Sequence, residues 1–340
     1  MMSRAERHQL IRNIEEIRGS KLLVYITGDR KGMETRIATD AVPFIFDHLS
    51  RMGRQECIDL YLYTTGGITM AGYGIVNLIR EFCDEFTVII PYKAFSCGTL
   101  IALGANEIVM TKLAQLSPID PSLDHPLCPT VQAPGLPGTT ARVPVNVEDV
   151  TSYLELAREV GLEDEDSITK VFERLSNAVN PLTLGAANRL RGQIAFLART
   201  LLSYHMTDEE EKIETIIKII TKERFSHDYL IGRKEAKEIL ALPVIDPQPD
   251  LEKLIIQLYK EYAEILKLDV PYHPELVLAD QEVATSDFNR GIIETVGYTH
   301  VFRTRREVKR IELRPPQVPS PTIGYLQREL GSAWVEDQSL

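Results

Sequence analysis

Two apolar runs, each ending in small residues and each leading into a helical pattern, constrain this chain more than any other feature. The first is Leu60-Tyr61-Leu62-Tyr63-Thr64-Thr65-Gly66-Gly67 and the second is Ala94-Phe95-Ser96-Cys97-Gly98-Thr99-Leu100. One amphipathic helix separates them, so the pair reads as consecutive βαβ units of a parallel sheet. Turns at the carboxyl ends of neighbouring parallel strands lie side by side. Backbone amides at a double glycine and a serine hydroxyl would then be presented together, as an oxyanion hole and a nucleophile are.

The surrounding pattern extends the α/β alternation. Lys21 to Gly28 reads as a buried strand and Thr39 to Met52 as a helix with Pro43 in its first turn and Thr39 or Asp40 as cap. Strands follow at Cys57–Thr65, Phe86–Pro91 and Glu107–Met110, with helices at Thr69–Phe82 and Ser96–Gly104. The Pro, Gly and Thr content of 126–144 predicts an exposed loop, with a lid as one possible use. Residues 147–223 read as helical throughout, and Lys234–Leu240 and Leu251–Lys267 as further helices, the last with Leu254, Leu258, Tyr262 and Leu266 on one face. Pro243–Pro249 reads as a linker, Ser286–Glu294 and Tyr298–Phe302 as strands continued by Arg306–Leu313, and Pro315–Pro321 as extended tail. The expected organisation is an N-terminal helix (1–20), an α/β domain with a helical part (21–240), a helix-and-strand region (241–314) and a flexible tail (315–340).

Charge and cysteines narrow the function classes. With 38 basic against 49 acidic side chains, nucleic-acid binding is disfavoured. The local basic stretch Arg303, Arg305, Arg306, Lys309, Arg310 and Arg314 reads as a solvated face, or as a docking patch for an acidic partner. Cys57, Cys83, Cys97 and Cys128 lack Cys-x-x-Cys spacing, and the seven histidines form no His-x-x-x-His set, so no metal or other cofactor is expected. Met1 to Arg18 is a charged amphipathic helix pattern with Leu10, Ile11, Ile14 and Ile17 at helical spacing, unlike a signal peptide, and no stretch has the length of a membrane span. Reduced thiols in a cytoplasmic protein fit these signs.

Ser96 is the candidate nucleophile, since Phe95-Ser96-Cys97-Gly98 follows a buried strand directly and its small neighbours admit a substrate. The alternative is a serine that merely caps the next helix. Gly66, Gly67 and Cys97 are the candidate oxyanion-hole residues, with the amides of Gly67 and Cys97 as donors.

Over about residues 57–124 these motifs resemble the ClpP and SppA class of serine peptidases, and most closely its serine dehydrogenase proteinase branch. The resemblance implies a ClpP/crotonase-like spiral of ββα units with a mainly parallel sheet, a peptide or protein substrate, and a homo-oligomer, possibly a ring. Thr65 stands where the family commonly has proline, Cys97 where it has a small or apolar residue, and Ala94-Phe95 is bulkier than usual.

A serine hydroxyl needs a base. Where ClpP-like chains carry their histidine, this one reads Leu116-Ser117-Pro118-Ile119-Asp120-Pro121, and Asp120 matches the Pro-Ile-Asp-Pro pattern of the serine dehydrogenase proteinase branch. SppA-type enzymes use a lysine, yet none occurs between Lys112 and Lys170. Lys93, His125, Lys170 and the neighbours His227 and Asp228 are the other positions to weigh, together with a base from a second subunit. Three functions follow: a serine peptidase acting through Ser96, a degenerate scaffold that binds peptide or a partner protein, and a crotonase-type acyl-CoA enzyme. The last would need a carboxylate over an enolate and a basic CoA cradle, and the sequence offers no convincing set of either.

Overall fold

The computed structural model describes residues 2–119, 122–132, 139–223, 229–313 and 322–340. The chain divides into two units, Met1–Leu116 with Ile231–Leu340, and Ser117–Leu230. The predicted 21–240 domain is thus interrupted, and its helical part forms a unit of its own.

In the first unit, α1 (Arg4–Arg18) starts at a capping box between Ser3 and Glu6 and stops at Gly19, whose φ of 65° is the left-handed ending that glycine supplies. There follow β1 (Lys21–Thr27), α2 (Val42–Met52), β2 (Gln55–Tyr63), α3 (Thr69–Arg80), β3 (Cys83–Ile90), β4 (Lys93–Ala94), α4 (Cys97–Leu103), β5 (Glu107–Met110) and β6 (Gln115–Leu116). Strands β1, β2, β3 and β5 pair in parallel, and Val244–Ile245 adds a parallel edge strand against β5. On the other side, Val283–Thr295 pairs antiparallel with β1 and continues into Tyr298–Leu313 and Thr322–Glu336. The result is one eight-stranded α/β sheet, parallel over five strands and antiparallel over the last three.

A second, thinner layer separates this fold from a doubly wound sheet. Just past the carboxyl ends of the main strands, Ile37 bridges Gly67, Thr64 bridges Ala94, and β4 pairs with β6, all in parallel. Each turn of chain therefore contributes to both layers, which is the ββα spiral expected.

Leu22, Val24 and Ile26 of β1 pack with Leu10, Ile11 and Ile14 of α1 and with Ile255, Leu258 and Tyr262 of the helix Pro249–Leu266. That helix turns the apolar face read from its sequence into its own core. Ile17, expected on the apolar stripe of α1, is 52% exposed. Asp40 does not cap α2; its carboxylate accepts from the indole of Trp334 instead, at 3.1 Å.

Three expectations about connecting segments change. The Pro243–Pro249 linker contains the edge strand, the 126–144 loop contains an antiparallel pair, Thr130–Gln132 with Thr140–Arg142, and the tail contains the fifteen-residue strand Thr322–Glu336. Three of the six basic side chains are engaged in hydrogen bonds within the unit: Arg303 with Asn289 and Asp337, Arg306 with Gln327, Arg310 with the Ala279 carbonyl. Pro315–Pro321 and Arg314 lie outside the described residues.

The second unit carries α5 (Val147–Glu159), α6 (Glu165–Ala178), α7 (Pro181–Ser203) and α8 (Glu210–Lys218). Asn146, Asp164 and Asn180 cap the first three through their side chains. Among the described residues all four cysteines are free, and no helix is long and apolar enough to cross a membrane.

Candidate active site

The double glycine follows six consecutive buried residues, Ile58 to Tyr63, at the end of β2. Beyond them the backbone of Gly66-Gly67-Ile68 runs beside Ile37, whose N–H donates to the Gly66 carbonyl at 2.9 Å and whose carbonyl accepts from Ile68 at 2.8 Å. That pairing uses the Gly66 carbonyl and the Ile68 amide and leaves the Gly67 amide out of it. A Cβ on Gly67 would stand 2.2 Å from the Ile37 oxygen, so only glycine fits. Gly66 and Gly67 also hold φ of 118° and 152°, values that side chains disfavour.

The Gly66 amide is already taken. It donates to Thr64 Oγ1 at 3.0 Å, and the same oxygen accepts from the Thr27 hydroxyl at 2.7 Å. Gly66 thus serves by close approach, and the donors expected from the sequence are the amides of Gly67 and Cys97.

Ser96 stands at φ 50° and ψ −108°, a conformation costly for a residue with a Cβ. Its side chain makes no capping bond to the helix that follows, so the capping alternative fails. Neighbouring bonds impose the strain: Thr64 donates to Lys93 O at 2.9 Å, Phe95 donates to Thr64 O at 3.1 Å, and Gly98 donates to Phe95 O at 2.8 Å. Together they fasten the serine turn to the residue that carries the glycine turn. Ser96 is half-buried, while every residue of α4 behind it is buried.

Cys97 contributes backbone only. Its thiol is buried against the Ile68 carbonyl, 3.3 Å away, and burial pushes it up to about 12, so it stays protonated near neutrality. Gly72 and Gly98 make room for this packing, since a Cβ there would meet Cys97 Sγ at 2.4 Å and Thr64 Cγ2 at 2.6 Å.

The candidate bases belong to both units. Lys93 Nζ lies 2.7 Å from Asp29 Oδ2, and Tyr63 donates to the other Asp29 oxygen at 2.8 Å, so Lys93 is held in a pair with Asp29. His125 belongs to the second unit, where its Nδ1 accepts from the Leu127 amide at 3.2 Å with the Thr183 hydroxyl 3.4 Å away. Lys170 is exposed on α6. Asp120, His227 and Asp228 lie outside the described residues. No cluster of metal-ligating side chains occurs among the described residues.

Sequence reasoning missed Thr27, Ile37, Thr64 and Asp29. Only Thr64 left a trace, as a hydroxyl two residues before Gly66, the spacing of a side-chain turn bond.

Residues 1–134 match the family of ClpP-like SDH-type serine proteinases. Two uncharacterized proteins of Methanocaldococcus jannaschii are similar: one is 29% identical over 209 residues, covering 61% of this chain, and the other 35% identical over 126 residues, covering 35%. The chain spans only 60% and 42% of those relatives' own lengths. Two structures of the 1510-N membrane-bound stomatin-specific protease overlay on 68% of this chain. A serine-to-alanine mutant has a TM-score of 0.38 at 15% identity, with 83% of its chain covered. A lysine-to-alanine mutant with a substrate peptide has 0.37 at 16%, with 78% covered.

Proposed function

We propose, for a chain whose residues 1–134 match the ClpP-like SDH-type serine proteinases, that the protein hydrolyses peptide bonds through an acyl-enzyme on Ser96. The observation that carries this is the strained, uncapped serine set against a double-glycine turn. Ser96 Oγ adds to the scissile carbonyl and loses its proton to a base. The oxygen that gains charge is met by the Gly67 and Cys97 amides; collapse of this intermediate breaks the C–N bond and the departing amine takes the proton from the base, and water then cleaves the ester to the carboxylic acid and free Ser96. Preorganised amides of this kind need no rearrangement as charge develops, which is why they contribute to rate.

A second reading, a scaffold that binds peptide without cleaving it, is favoured by the state of two candidate bases: Lys93 is paired to Asp29, and His125 uses its Nδ1 to accept a proton donor. Asp120 remains, by its match to the family's Pro-Ile-Asp-Pro pattern. One experiment separates the readings. A fluorophosphonate probe, with mass spectrometry to find the adduct and Ser96→Ala as control, should label Ser96 in the peptidase; absence of an adduct from the folded protein across a range of pH favours the scaffold. Asp120→Asn, His125→Ala and Lys93→Met in the same assay identify the base.

The proposal includes a homo-oligomer. Leu156, Phe172 and Phe196 are exposed on α5, α6 and α7 of the second unit, and light scattering should give a mass above that of one chain.

A further inference from the structure

We infer that the Thr64 hydroxyl is a latch that sets the direction of the Gly66–Gly67 peptide, and through it the aim of the Gly67 N–H. The inference rests on the proposed role of that amide. The peptide group is planar and trans, so the Gly67 N–H points opposite to the Gly66 carbonyl. Whatever holds the carbonyl therefore aims the amide.

Two donors hold it, Ile37 N–H at 2.9 Å and the Thr64 hydroxyl at 3.2 Å. Both flanking residues are glycines, for which rotating the intervening peptide as a unit is sterically cheap, so the orientation has to be imposed from outside. Thr64 Oγ1 also accepts from Gly66 N–H and from the Thr27 hydroxyl. With one donor and two acceptor positions all used, the hydroxyl has a single satisfied orientation. The residue is fully buried, where such bonds are stronger than in water. Its backbone meanwhile bonds Lys93 and Phe95, just before Ser96. One residue thus positions both the amide and the nucleophile, without touching substrate.

The test uses full-length protein with ¹⁵N-labelled glycine. In Thr64→Val, Gly66 amide exchange should accelerate about tenfold or more, while Gly98, whose N–H bonds Phe95 O, stays unchanged. The maximal phosphonylation rate at Ser96 should fall about ten- to hundredfold with little change in probe affinity, because a misdirected oxyanion donor acts on the transition state. Thr64→Ser should restore both. Unchanged Gly66 exchange in Thr64→Val overturns the latch, as does an unchanged maximal rate. If wild-type protein takes no label, the peptidase reading falls and Gly66 exchange alone decides the latch. Should Thr64→Val not fold, Thr64→Ala removes the same hydroxyl with less bulk.

Discussion

Gly66 faces the side chain of Ser96: a Cβ built on the glycine lies 3.0 Å from the serine Cβ and 3.5 Å from its Oγ. With φ already at 118°, Gly66→Ala adds backbone strain to this clash. Thermal unfolding should show about 1–3 kcal/mol lost, and labelling of Ser96 should drop sharply, because relief comes by moving the serine. A variant that labels like wild type would place the reacting oxygen elsewhere.

Glu294 is fully buried and accepts from Arg7 Nε and a terminal guanidinium nitrogen, both at 2.7 Å, and from Tyr262 and Thr299 at 2.6 and 2.7 Å. Burial alone would raise its pKa, but the bonds from Arg7, His8 and Tyr262 outweigh it and hold the carboxyl at about 2. Stability from this group is therefore present above its ordinary value of 4.5 and lost as pH falls toward 2. Glu294→Gln leaves the Arg7 charge uncompensated and should cost about 3–5 kcal/mol in urea titration.

His48 bonds Thr295 Oγ1 at 2.8 Å and His300 Nδ1 at 3.1 Å within the core. Burial, then the neighbouring His300 and Arg51, lower its pKa from 6.5 to about 3, against an opposing pull from Glu294. The folded state keeps this ring neutral where the unfolded chain binds a proton, so stability is full above 6.5 and declines below it. Between about pH 7 and 5 the loss should be about 2 kcal/mol. His48→Asn should flatten that dependence in urea titrations at the two pH values, and an unchanged slope would remove His48 as its source.

Burial holds the thiols of Cys57, Cys83 and Cys97 up at about 12, 11 and 12. Near pH 8 all three should resist iodoacetamide in native protein and react fully once unfolded, as read by peptide mapping. Rapid native alkylation of Cys97 would show that the turn beside Ser96 opens.

Lys93 is paired to Asp29, so Lys93→Met should lower Ser96 labelling by less than about a hundredfold, the smaller end of what removing a general base costs. A larger loss, with folding intact, would make Lys93 the base despite that pairing.

Elements with a strong hydrophobic period were legible in advance. Glu107–Met110 appears with the predicted bounds, and the strands and helices around the two turns lie within a few residues of expectation. Pairings without a period were not. Lys93–Ala94 and Val244–Ile245 are two-residue strands, too short for alternation to show. Thr322–Glu336 reads as tail because its glycines and charges break the pattern, and its order comes from the register against Tyr298–Leu313.

The same division runs through the site. Local sequence indicated a serine turn and a glycine turn at the ends of adjacent parallel strands, because short runs rich in aromatic and β-branched residues and bounded by small residues favour strands, and small residues allow the turns. Tertiary structure alone decided that the Gly66 amide is taken by Thr64, that Ser96 is strained and not a cap, and that Lys93 is paired. Those outcomes depend on Ile37, Thr27, Thr64 and Asp29, residues brought together by packing, and hydrogen bonds between such partners leave no periodic trace in the chain.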